Sequence, residues 1–363
     1  MTTGNEVYTE VAEKLGAPTS KRMLSLLEAY FSPEEGKVLL ELFAPATPEE
    51  VAGKLNMDEK GVFNILEELA DRGIITKGQT EYCFHSNLIT FHHHTVGGVA
   101  REPVPEKIEE LWRDFFFDDW SDMFIETYIK RLEDTGKPVH RVWPLTGALE
   151  LSPNIKPEDI LPEENFKLFL ENTERIFVGH CGCRKNWARC DHPVETCFAP
   201  IQGGGKAGEF FIEKPNRTSI REISLEEALE VVRRNEEAGL VNTGACFCCT
   251  CSCEILYSVD RVKRFDLVGR SRYQATVDLE KCSGCQECIE RCPFYAVEMV
   301  KPPDSKKLKA SIIADNCMGC GVCIVGCEQR ALTFEVVRPP EYIRRPQTKA
   351  GQTGLFCRCT EVK

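Results

Sequence analysis

Residues 282 to 293 read CSGCQECIERCP and residues 317 to 327 read CMGCGVCIVGC. Both runs space their cysteines C-x2-C-x2-C-x3-C, and each cysteine of the second lies 35 residues after its counterpart in the first. Thiolates are soft ligands suited to iron–sulfide clusters and to zinc. Three of them at steps of three let one loop wrap a cubane and present backbone N–H groups to its sulfides. The fourth opens the next element and reaches across to the other cluster. This spacing assigns one 4Fe–4S cluster to Cys282, Cys285, Cys288 and Cys327, and a second to Cys317, Cys320, Cys323 and Cys292. Two full copies of the run make zinc the poorer occupant.

Nine further cysteines lie between 181 and 253. Cys181, Cys183, Cys190 and Cys197 fall in HCGCRKNWARCDHPVETC, and Cys246, Cys248, Cys249, Cys251 and Cys253 crowd into ACFCCTCSCE. In extended chain, C-x-C throws alternate side chains to one side, so the adjacent Cys248 and Cys249 point apart and could serve different sites. These thiols suffice for one or two further clusters, with the pairing open. A zinc site, or one cluster plus several core thiols, are the competing readings. Arg184 and Lys185 read as surface charges, although beside Cys183 they could offset a cluster's negative charge. His180 and His192 read as surface histidines rather than ligands.

Composition agrees with metal binding. The chain has 363 residues, 42% of them hydrophobic, with 20 cysteines, a net charge of −12 and a pI of about 5.3. That length allows two or three domains. The opening MTTGNEVYTEVAEKLGAPTS lacks the basic start and apolar run of a secretory signal. No stretch approaches the roughly 18 apolar residues of a membrane span. A cytoplasmic protein is the expectation, and in a reducing compartment dense cysteine points to metal rather than disulfides. The acidic balance argues against nucleic acid as partner and suits a basic face on another protein.

The elements that must hold these cysteines are legible in outline. The cluster runs sit inside a duplicated unit, ATVDLEKC against ASIIADNC and AVEMV against ALTFEVV, read as strand, cluster loop, short helix and returning strand. Ser224 and Glu227 form a capping box ahead of Leu225, Leu229 and Val232, and Gly239 ends that helix, so the crowded cysteines follow it in a turn. Nearer the start, Thr47, Pro48 and Glu50 open a helix, and Asp58 caps a second that carries Val62, Ile65, Leu66 and Leu69. The runs IIT and YCF around KGQ then make a hairpin, with Cys83 buried. Helices near 21–30 and 34–42 complete the bundle. Helix, turn, helix and hairpin is the winged-helix order. The face with Glu59, Lys60, Asn64, Glu67, Glu68 and Asp71 is mostly acidic, and residues 1 to 95 carry 8 Lys and Arg against 15 Asp and Glu. Such a face repels phosphate.

Other segments are less informative. His92, His93 and His94 are read as a loop or a contact near a cluster, since three consecutive imidazoles cannot all face one metal. LWRDFFFDDWSDMFIETYI reads as one amphipathic aromatic helix for core or partner packing. GGGK at 203–206 lacks the pattern of a phosphate loop and reads as a flexible loop. Cys357 and Cys359, in the polar tail, read as loose thiols.

The expected fold class is α+β. Residues 1–95 form a winged-helix domain, 96–165 a helical and Pro-rich connection, 166–270 a Cys-rich α/β region, 271–337 a two-cluster ferredoxin fold, and 338–363 a tail. The duplicated unit resembles a bacterial two-cluster 4Fe–4S ferredoxin domain, with Glu328 where a proline often follows the fourth cysteine. The first segment looks like a MarR/ArsR-type winged helix. CGCR, Cys190, Cys197, the ISLEEAL helix and the Cys-rich turn, ahead of that module, are similar to a family of anaerobe 4Fe–4S-binding proteins over residues 165 to 337. That resemblance implies an electron carrier, and the cysteine count gives three or four 4Fe–4S clusters in all. The expectation is an electron-transfer subunit that docks a partner oxidoreductase, in a complex that can be oligomeric. A redox-sensing winged-helix regulator and an enzyme with a substrate-binding cluster in 181–253 are the alternatives.

Overall fold

The computed structural model describes residues 4–17, 20–85, 87–97, 103–138, 140–201, 219–303 and 305–343. GGGK at 203–206, Cys357 and Cys359 lie outside the described residues.

The first segment is helical: α1 (Gly4–Leu15), α2 (Lys21–Tyr30), α3 (Pro33–Leu40), α4 (Pro48–Leu55) and α5 (Glu59–Asp71). Their starts are set by local chemistry. Ser32 with Glu35, and Thr47 with Glu50, form reciprocal capping boxes, while Asp58 accepts the Gly61 N–H at the start of α5. Asn56 in the left-handed region (φ 51°) makes the tight turn between α4 and α5. Val62, Leu66 and Leu69 are buried on the inner side of α5. A hairpin follows, β1 (Thr76–Lys77) against β2 (Tyr82–Cys83), then α6 (Leu88–Thr95). The three histidines 92–94 therefore lie in a helix, where a loop was one of the two expectations; Asn87 caps it through the Thr90 N–H.

The aromatic run forms one continuous helical segment. α7 (Glu106–Phe115) passes through a wide π turn, Phe116–Trp120, into α8 (Ser121–Thr135). The expected single helix is present, with one wide turn inside it, and Phe116, Trp120 and Phe124 lie on its buried side. The Pro-rich connection holds β3 (His140–Arg141) and α9 (Thr146–Glu150), and α10 (Phe166–Glu171) opens the Cys-rich region.

The middle region is built on a three-stranded antiparallel sheet with β4 (Arg175–His180) between β5 (Glu195–Ile201) and β6 (Arg221–Ile223); α11 (Gly182–Trp187) follows β4. α12 (Leu225–Glu237) starts on Ser224 and buries Ala228, Val231 and Val232, whereas Leu225 stays exposed. Two short strands, β7 (Val241–Asn242) and β8 (Phe247–Cys248), lead into α13 (Glu254–Arg261) and β9 (Val268–Gly269).

The last segment has the strand–loop–helix–strand unit twice. The first copy is β10 (Tyr273–Val277), α14 (Glu287–Arg291) and β11 (Val297–Val300); the second is β12 (Lys309–Ile312), α15 (Val322–Val325) and β13 (Leu332–Val336). The copies interlock, since β10 pairs with β13 and β11 with β12, both antiparallel. Backbone geometry repeats with the sequence: Gly284 and Gly319, Gln286 and Gly321, and Tyr295 and Arg330 all take positive φ. At Gly319 only glycine fits, since a Cβ would stand 2.2 Å from both Ser271 Oγ and Tyr273 O. Buried side chains from Tyr8 to Phe334 form one contiguous apolar cluster. Among the described residues, no helix is long and apolar enough to cross a membrane.

Candidate iron–sulfur and metal centres

The interlocked repeats enclose two cavities. Cys282, Cys285 and Cys288 of the first repeat and Cys327 of the second line one, together with Val277, Met299 and Leu332. The other is lined by Cys317, Cys320 and Cys323 with Cys292 of the first repeat, backed by Phe294, Ile312 and Val322. The fourth cysteine of each repeat follows a short helix and lines the partner repeat's cavity. Sulfur atoms here receive backbone donors: Ala296 N–H donates to Cys292 Sγ (3.3 Å), Ala331 N–H to Cys327 Sγ (3.4 Å) and Ala310 N–H to Cys282 Sγ (3.5 Å). Such donors favour thiolates. The cavities differ in access. Cys285 is exposed, whereas Cys317, Cys320 and Cys323 are all buried. Burial pushes the Cys288 thiol up to about 11 and drives the Cys323 thiol well up. Four convergent thiols around an apolar hollow, with N–H groups on their sulfurs, fit a sulfide-bridged iron cluster.

The nine middle cysteines separate into two groups. Cys190, Cys249 and Cys251 join His192, with their ligand atoms all within 4.8 Å of one another. The other six gather next to it. Cys197 in β5 bridges to Cys246, whose Sγ stands 3.9 Å away. Cys246 also meets Cys248, and Cys248 meets Cys253; the contact with Cys197 drives Cys246 well up, that with Cys246 drives Cys248 up and that with Cys248 drives Cys253 up, and burial adds to each. Cys181 and Cys183 flank the start of α11, and their mutual hydrogen bond drives Cys183 up and lowers Cys181 to about 7. Gly182 between them packs so closely on Gly97 that a Cβ would stand 2.1 Å from its Cα. The adjacent Cys248 and Cys249, at the end of β8, go to different groups.

Arg184 is buried, where the sequence favoured a surface charge. Its guanidinium lies against Cys249 Sγ and donates to Thr196 Oγ1 (3.1 Å) and Phe247 O (3.1 Å). Lys185 is exposed. The Cys249 thiol is lowered to about 4, first by its hydrogen bond with Cys251 and further by Arg184. His192 is half-buried, its Nδ1 3.9 Å from Cys251 Sγ, so it is not the plain surface histidine expected.

A third cluster of polar groups has no sequence signature. Glu254, buried at the start of α13, meets His93 Nε2 (3.1 Å) and His92 Nδ1 (3.3 Å), and Cys183 Sγ donates to its Oε2 at 2.6 Å. Burial raises the Glu254 carboxyl, but the His93 charge and the bonds from both histidines hold it well below the usual range. His92 stacks on Trp187, which stacks on Phe116. His94 turns instead to His85. A glutamate after Cys253 looks like any residue of a first helical turn, so only the fold reveals its partners.

Residues 274–328 match the family model of the 4Fe-4S dicluster domain, a span that contains all eight cysteines from Cys282 to Cys327. No curated protein matches the chain. The chain carries an iron–sulfur module of ferredoxin type in an α+β setting.

Proposed function

We propose that this chain relays single electrons through iron–sulfur clusters to or from a partner oxidoreductase, as a subunit without substrate chemistry of its own. The pair of four-cysteine cavities, each completed by a cysteine of the other repeat, carries this reading. A 4Fe–4S cluster, when bound, takes up or gives up one electron with its charge spread over iron and sulfide. Cys282, Cys285, Cys288 and Cys327 would hold one, and Cys317, Cys320, Cys323 and Cys292 the other. The chain itself does the rest. Backbone N–H groups on Cys292, Cys327 and Cys282 stabilise the more negative state and raise the potential. Exposed Cys285 offers the entry or exit edge.

From the buried cavity a short segment leads inward. Leu145 N–H donates to Cys320 O (2.8 Å), Trp143 N–H donates to Asn242 O (2.8 Å), and Thr243 Oγ1 stands 3.2 Å from Cys248 Sγ. Residues 143–145 thus join the buried cavity to the six-thiol group. A third cluster, on four of Cys181, Cys183, Cys197, Cys246, Cys248 and Cys253, completes the relay. Three of these thiols, Cys183, Cys248 and Cys253, are buried and three are half-buried; thiolates packed so closely repel one another and are costly to ionise unless iron compensates them.

The first segment is proposed as a winged helix used for docking. Its α5 face exposes Glu59, Glu68, Asp71 and, 44% exposed, Phe63, with Lys60 as its single cation among these. An apolar residue ringed by acids suits a partner protein with a basic rim in the cytoplasm, and it repels a phosphate backbone.

Iron and acid-labile sulfide on anaerobically purified protein, with EPR after reduction, test the relay. About twelve irons per chain, in three interacting centres, is the expected result. About eight irons would remove the third cluster, and fewer than about four would sink the relay. Gel-shift assays with duplex DNA at low salt are expected to show no binding.

A further inference from the structure

We propose that Cys190, His192, Cys249 and Cys251 bind a single tetrahedral metal ion, zinc, that fastens the two halves of the cysteine region. This site is separate from the electron relay. The argument starts from spacing. A tetrahedral ion with metal–sulfur bonds of about 2.3 Å sets its ligand atoms about 3.8 Å apart. Cys190 Sγ and Cys249 Sγ are 3.8 Å apart, and Cys251 Sγ and His192 Nδ1 are 3.9 Å apart. All four ligand atoms lie within 4.8 Å of one another. A cubane holds each thiolate on a different iron and spreads the sulfurs wider. The six-thiol group, with Cys197 and Cys246 Sγ 3.9 Å apart, must therefore open to take one, whereas the Cys190, His192, Cys249 and Cys251 set already has the spacing of a single ion. The eight carboxy-terminal cysteines are spread as a cubane needs: they surround cavities, and among the described residues none joins so tight a group.

The ligands come as two close pairs, Cys190-x-His192 from the loop before β5 and Cys249-x-Cys251 from the turn before α13. Three cysteines and one histidine are a structural zinc set, closed to substrate. Three thiolates, a neutral imidazole and a divalent ion leave one negative charge. Buried Arg184, with Nη2 3.5 Å from Cys249 Sγ, balances it. The same side chain reaches Thr196 on one ligand-bearing segment and Phe247 on the other. Ser252 Oγ, 3.5 Å from Cys190 Sγ, adds a second polar neighbour. Such outer partners orient metal ligands.

Elemental analysis and zinc-edge X-ray absorption on the full chain test the site. The expected result is one zinc per chain, with three sulfurs at about 2.3 Å and one nitrogen. Ferricyanide treatment that destroys the clusters is expected to leave this zinc in place. His192→Ala and Cys251→Ser are expected to lose zinc while the reduced-state EPR spectrum persists. A zinc-free wild-type chain, or a Cys251→Ser chain that loses about four irons, would overturn the proposal. Iron counts that fall short of three clusters would leave it intact, so the relay and the zinc site fail separately.

Discussion

The Nη2 of Arg184 stands 3.5 Å from the Sγ of Cys249, and Arg184 is 2% exposed. One buried cation thereby links α11, the loop before β5 and the end of β8. Its fork reaches several acceptors at once, which a lysine ammonium cannot. Arg184→Lys is expected to destabilise the protein by at least about 2 kcal/mol, because buried acceptors lose their donors. Anaerobic urea unfolding measures it; a variant as stable as wild type would refute the role.

Glu236 accepts the backbone N–H groups of Thr146 (2.7 Å) and Gly147 (2.9 Å). Burial nevertheless raises its carboxyl to about 7. The folded state therefore holds this proton more tightly than the unfolded state does. Stability is highest below the ordinary carboxyl value and falls as pH rises toward about 7. The loss amounts to roughly 3 kcal/mol across that window. Glu236→Gln is expected to flatten this slope in unfolding measured between pH 5 and about 7.5.

Glu254 is buried among His92, His93 and Cys183. Glu254→Ala strands a charged imidazole and is expected to cost about 3–5 kcal/mol. Glu254→Gln keeps an acceptor for Cys183 and is expected to cost less. Chemical denaturation of the two variants side by side decides this; a Glu254→Gln chain as stable as wild type would argue against a charge role.

The two carboxy-terminal cavities differ in exposure, which is a prediction about their chemistry. Air is expected to remove about four irons first, from the side of exposed Cys285. Cys285→Ala is expected to lose that EPR signal alone, whereas Cys320→Ala loses the other. Loss of both signals together in either variant would show that the cavities do not load independently.

Gly319 sits at φ +68° with its Cα hydrogens facing Ser271 and Tyr273. Gly319→Ala is expected to destabilise the module by more than about 2 kcal/mol, combining backbone strain with a clash. Gly53, with nothing within 4 Å of an added Cβ, is the control, and Gly53→Ala is expected to be neutral or stabilising.

Some of this was readable from residue order because the physics is local. Capping boxes at Ser32 and Thr47 depend on residues three apart, and both are present. Helix starts in the first segment and the 35-residue repeat were legible for the same reason. Glu254 and His93, by contrast, are 161 residues apart, and no periodicity joins them. Arg184 looked like any basic residue beside a cysteine; its burial follows from three segments closing over it. His192 looked like a surface group until the turn at Cys251 came within 3.9 Å.

What the sequence by itself determined is the chemistry of the carboxy-terminal module, because a C-x2-C-x2-C-x3-C run carries most of its ligands within one loop. It also set the helix caps and the acidic face of the first segment. The sorting of the nine middle cysteines was left to the tertiary structure. Their partners come from β5, β8 and two loops, brought together only when the sheet and α13 pack. Distance in space, not spacing along the chain, separates Cys249 from its neighbour Cys248.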